Sequence, residues 1–148
     1  MSKEYLKNDR LGEVVALIQV LAFHQYTSRS EEGLMKELKR KPSSSSSWME
    51  LGKSHPELFR VRDDDPDENK VDRVSLVSRY VQPYVVENKK RIRQPLSDEI
   101  VHKLIGVALD IHDRQASRAD KWKVLIPMGV SIISAGAAIT AALIKTTP

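Results

Sequence analysis

Apolar positions recur at Leu11, Val14, Val15, Ile18, Leu21 and Ala22. This i, i+3, i+4, i+7 spacing turns one face of a helix towards a core, and it predicts an amphipathic helix ending near Gln25. In "SRSE", Ser28 and Glu31 have the spacing of a capping box. They open a second predicted helix, with Leu34, Met35 and Leu38 inward and an end before Pro42. Trp48, Leu51 and His55 then follow at helical spacing after the serine run at 43–47. A short third helix is expected over about 45–54, with one of those serines as its N-cap and Pro56 marking the break.

After Pro56 the period changes from helical to alternating. "LFRVR" sets Phe59 and Val61 on one face of a strand, "DDDPDENK" is dense in turn formers, and "VDRVSLV" resumes the alternation through Val74 and Leu76. The stretch from 78 to 95 reads equally as a continued strand, a short helix or a crossing segment; Pro83 and Pro95 exclude a long helix. A further helix is expected from Ser97 as N-cap, with Asp98 and Glu99 in its first turn, where the helix dipole favours acids. Its apolar face would carry Ile100, Leu104, Val107, Ala108 and Ile111. Beyond His112 the chain is polar on all sides and reads as a helical stalk.

The closing segment from Val124 to Ile144 carries no formal charge. Its length matches the roughly 20 residues that cross a bilayer as a helix. Lys121, Trp122, Lys123 and Lys145 stand at its ends, as interfacial anchors would. Arg114, Arg118, Lys121 and Lys123 precede the run and only Lys145 follows it. The positive-inside rule then predicts a single-pass, tail-anchored chain whose N-terminal part is cytoplasmic. Gly129, Ile133, Gly136 and Thr140 share one face of the predicted span, which implies a weak homo-oligomer in the membrane.

Three helices followed by a hairpin with a long charged tip give residues 11–77 a resemblance to the winged-helix family. "WMELGKSHPELFRV" is similar to that family's third helix running into its first wing strand. The fold class expected is therefore mainly α with a small β-hairpin, carrying a helical stalk and one transmembrane helix. The expected organisation is a winged-helix-like domain over 1–96, a packing helix and stalk over 97–123, the span over 124–144, and a tail over 145–148.

Composition changes this picture in a few places. The chain of 148 residues has no cysteine, which excludes disulfide frameworks, thiol catalysis and cysteine-ligated zinc. A net charge of +4 is mild, and aromatics form only 5% of residues, so a base-stacking surface is poorly supplied. His24, His55, His102 and His112 are not spaced as paired metal ligands, and no HExxH, GxSxG or phosphate-loop motif occurs. "DIHD" at 110–113 does not converge on one point of a helix, and the acidic tip at 63–68 lacks the glycine and distal glutamate of a calcium loop. No enzyme activity and no cofactor are expected.

The winged-helix resemblance implies DNA binding through the third helix and the wing. Here that helix offers Glu50 and Lys53 and no arginine, and the wing is acidic. Positive charge lies instead at "LKRK" (38–41) and in Lys89, Lys90, Arg91 and Arg93. That second cluster has three readings: a solvated charge run, a contact for anionic lipid, or a contact for nucleic acid. The function expected is a membrane-anchored, non-enzymatic module that holds a protein partner. A membrane-tethered DNA-binding regulator and an oligomerising membrane-acting effector are the alternatives.

Overall fold

The computed structural model describes residues 4–62, 72–87 and 90–118. The chain divides into two compact units, residues 1–112 and 113–148. The fold below is that of the first unit; of the second, the described residues are 113–118, the end of a helix.

A short 3-10 turn, Glu4–Leu6, places Tyr5 in the core and leads into α1, Arg10–Phe23. Of the predicted face Val14, Ile18, Leu21 and Ala22 are buried, while Leu11 and Val15 are only partly covered; Leu17, which the expected face did not include, is buried with them. The chain then forms a two-residue strand, β1 (Ser28–Arg29), before α2, Glu31–Leu38. The cap of α2 is not the expected Ser28. Ser30 holds that place, its Oγ accepting from the Gly33 N–H at 3.2 Å, because Ser28 is taken into the sheet. Glu31 caps a different helix, its carboxylate accepting from the N–H groups of Trp48 and Met49 at 3.1 and 3.0 Å. These are two of the donors left open at the start of α3, Trp48–Lys53. Ser47 is the N-cap there, accepting from Glu50 N–H at 3.1 Å.

The third helix is shorter than the predicted 45–54, since Ser47 is its N-cap and helix begins only at Trp48; the first serines of the run are engaged elsewhere. Ser43 and Ser44 bond to the carboxylate of Glu13, a buried acid in α1, through both their backbone N–H groups and both hydroxyls. An ionised carboxylate taken out of water requires such donors.

Strands β2 (Phe59–Arg62) and β3 (Arg73–Leu76) pair antiparallel, Phe59 opposite Leu76 and Val61 opposite Val74. With β1 they form a sheet of order β1-β3-β2. Phe59, Val74 and Leu76 meet Trp48, Leu51 and the α1 face in one core. Gly52 sits where α3 crosses this sheet: a Cβ there would lie 2.9 Å from Val74 Cγ2 and 3.1 Å from Val61 Cγ2.

The ambiguous stretch after β3 resolves into a 3-10 turn, Val77–Val81, and a second hairpin, β4 (Tyr84–Glu87) and β5 (Lys90–Arg93). Helix α4 occupies 98–118. Its buried line is Val101 and Ala108, with Ile100, Leu104, Ile105 and Ile111 partly covered; Val107, expected inward, is exposed.

The expected fold class needs correction on two counts. The β content is two antiparallel sheets, not one hairpin. Among the described residues no helix is long and apolar enough to cross a membrane. The longest, α4, carries Asp98, Glu99, Lys103, Asp110, Asp113, Arg114 and Arg118, charges that a bilayer core would reject. The transmembrane, single-pass and tail-anchored expectations are therefore not met by this fold. The segment 124–144 on which they were placed lies outside the described residues. So do the anchors Lys121, Trp122, Lys123 and Lys145, the face Gly129, Ile133, Gly136 and Thr140, and the acidic tip at 63–68.

Candidate functional site

The second hairpin is held by a buried cation. Arg79, in the 3-10 turn, is fully buried and reaches the C-terminal end of α1. Its Nη1 donates to the carbonyls of Leu21, Ala22 and His24 at 2.9, 3.1 and 2.8 Å, and its Nη2 to the carbonyl of Arg93 at 2.7 Å. The last carbonyls of a helix lack partners within it and carry the negative end of its dipole, so a guanidinium there satisfies both needs. Burial pulls the Arg79 pKa down, and the four carbonyls are what keep the charged form in place. On the far side of the hairpin, Leu96 N–H donates to Ala22 O at 3.0 Å. Entry and exit of the hairpin are thus fastened to the same turn of α1.

Arg93 stiffens the hairpin itself. Its Nη1 donates to the carbonyls of Tyr80 and Gln82, and its Nη2 to the Tyr84 hydroxyl at 2.8 Å. The guanidinium lies 4.2 Å from the Tyr84 ring centroid and 5.2 Å from that of Tyr80, distances at which a ring face attracts a cation. These partners carry no negative charge, so the charge of Arg93 is held but not neutralised.

On this braced support the chain exposes apolar side chains. Val81 is 82% exposed, Val86 70%, Tyr84 51% and Val85 41%. A shallow groove of about 210 Å³ runs beside them, lined by Gln25, Val85, Ile92, Arg93, Gln94 and Pro95. Single exposed apolar residues are ordinary; here four fall between positions 81 and 86, one at the end of the 3-10 turn and three in β4.

The structure places the predicted basic cluster on this same hairpin. Lys90, Arg91 and Arg93 are in β5, paired with Glu87, Val86 and Tyr84; Lys89 lies outside the described residues. Arg93 is the residue whose role the sequence concealed, a brace in place of a solvated charge.

Other candidate residues are engaged within the fold. His24 Nε2 lies 3.2 Å from Glu37, which also pairs with Arg29. His55 packs edge-on against Tyr5, and both address Glu57: Tyr5 donates to its Oε1 at 2.7 Å and His55 Nδ1 is 3.3 Å away. Burial lowers the His55 pKa, against the pull of Glu57 and with help from Arg10; burial and Glu57 raise that of Tyr5. Catalysis needs a face open to substrate, yet Tyr5, Arg10 and His55 are 2%, 1% and 0% exposed. This cluster fastens the N-terminal turn to the core. Among the described residues no His, Cys, Asp and Glu group fit to hold a metal occurs.

The face expected to read DNA is also small. Trp48, Met49, Leu51 and Gly52 of α3 are buried, which leaves Glu50 and Lys53 outside, 3.6 Å apart as an ion pair. No family model matches the chain, and no curated protein and no solved structure matches it.

Proposed function

We propose that this chain is a non-enzymatic interaction module that holds a protein partner through the β4–β5 hairpin. The observation that carries the reading is the exposure of Tyr84, Val85 and Val86 in β4, with Val81 at the end of the preceding 3-10 turn, on a stretch braced by Arg79 and Arg93. Partners bind such patches with less loss of entropy when the patch is already rigid. We also read the first part of the chain as winged-helix-like. In support stand the element order α1-β1-α2-α3-β2-β3 and the sheet order β1-β3-β2. Within that family this chain would belong with the protein-binding members, since α3 offers a phosphate backbone one acid and one base.

The test compares the full chain with a Val81→Asp/Val86→Asp double variant. Both positions are on the surface, so the melting temperature should stay within about 2 °C. Capture of a partner by the wild type and its loss in the variant is the expected result. Retention by the variant contradicts the reading. A shift of duplex DNA by the full chain that weakens steeply with salt favours the regulator instead.

A further inference from the structure

The register of the second hairpin says how such a partner would attach. Gln94 N–H donates to Pro83 O at 3.3 Å, and Val85 pairs with Ile92, Val86 with Arg91. In an antiparallel ladder the pairs that exchange hydrogen bonds alternate with pairs that do not. With Pro83 and Gln94 bonded, Val85–Ile92 and Glu87–Lys90 are bonded pairs too. Val86 falls between them, so its N–H and C=O point away from β5. On β5 the equivalent outward carbonyl is that of Arg93, and it accepts from Arg79. The β5 edge therefore faces the body of the domain and the β4 edge faces outward. Among the described residues no third strand joins this sheet.

An outward strand edge is a template for another strand unless it is blunted by lysine, proline or a bulge. β4 carries Tyr-Val-Val-Glu and has none of these. Pro83 precedes it, at a position whose missing N–H faces β5, so the outer edge is not interrupted. The charge of the hairpin selects among occupants. Residues 84–93 hold Lys89, Lys90, Arg91 and Arg93 against the single acid Glu87. A second copy would bring the same positive charge to the edge; an acidic strand would be drawn to it.

We propose that β4 takes up an extended, acidic segment of a partner protein as an added strand, pairing main chain to main chain at Val86. The segment alternates apolar residues, which lie beside Val85 or Val86, with Asp or Glu. This rests on the reading of the hairpin as the partner-binding element and gives its mode.

A library of random eight-residue peptides selected on the immobilised full chain tests it. Enriched sequences should alternate apolar with acidic residues, and their affinity should fall as salt rises. A synthetic copy of an enriched peptide, N-methylated at alternate residues, should lose about tenfold in affinity in one parity and little in the other, as expected for a lost main-chain hydrogen bond. Val86→Thr, which keeps the outward N–H but alters the side chain, should lose only part of the affinity, while Val86→Pro, which removes that N–H, should not bind. Enrichment of basic or helically spaced peptides, or no enrichment, overturns the proposal. Indifference to N-methylation in both parities overturns strand addition; if Val81→Asp/Val86→Asp still abolishes that binding, the hairpin remains the partner-binding element. A concentration-dependent dimer that Val86→Pro dissolves assigns the edge to a second copy and overturns the acidic partner.

Discussion

Buried polar and ionisable residues decide much of this fold, and each holds a separate piece. Arg79 ties the hairpin to α1, Glu13 ties the serine run to α1, and His55 with Tyr5 and Glu57 ties the N-terminal turn. Arg79→Met would leave the carbonyls of Leu21, Ala22, His24 and Arg93 without this donor, at about 1–3 kcal/mol for each group that stays buried and unsatisfied. Urea unfolding should show a large loss, only partly restored in Arg79→Lys, because one ammonium cannot fork to both sides. His55 has a pKa below its ordinary 6.5 when folded, so the unfolded chain binds its proton more readily. Its contribution is full above pH 6.5 and is lost as pH falls from there through the folded value. For Glu13, burial pushes the pKa up, but the hydrogen bonds from Ser44 and Ser43 outweigh it and hold it below 4.5. That contribution persists to more acid pH and fails only as pH falls through this lower folded value. Melting temperatures between pH 7 and pH 5.5 should fall in wild type and change little in His55→Gln, whose side chain does not titrate. Hydropathy hid these residues, since it counts every charge as surface. Their phase gave a signal nonetheless: Arg10 lies four residues before Val14, and Glu13 four before Leu17, on the inward face of α1.

At the scale of elements, α3 lies so close to the sheet that side-chain volume matters in both directions. Trp48 is fully buried, and Trp48→Ala should cost about 3–5 kcal/mol in a thermal or urea melt. Gly52→Ala adds a methyl against two valine side chains that turn little in a strand. It should destabilise by about 1–3 kcal/mol, although alanine favours a helix; an unchanged melt would show that the crossing is looser than described. The helices and β2 were legible from their wet and dry faces, which is what periodicity detects; in β3 the polar Ser75 kept the sequence alternation although it is buried between Val74 and Leu76. β1 was not legible, being two residues long. The second hairpin escaped because both faces of β4 are exposed, so no apolar alternation marks it. Val107 was misplaced for a related reason: the buried line of α4 runs through Val101 and Ala108, a shift around the helix that spacing alone leaves undecided.

Taken whole, the described residues of the first unit form one core, and the β4–β5 hairpin is the element proposed to bind. The helices and three-stranded sheet cover each other, and the titratable clusters within the core are fasteners. The basic residues of the hairpin were visible in the sequence, but their valine neighbours had no assigned role, because exposure is a property of the fold. A photo-crosslinking residue placed at position 86, and separately at position 50 on α3, distinguishes the two faces most directly in cells that express the full chain. The hairpin reading predicts a discrete protein adduct from position 86 and none from position 50. Adducts from position 50 to protein or nucleic acid, with position 86 silent, would contradict it.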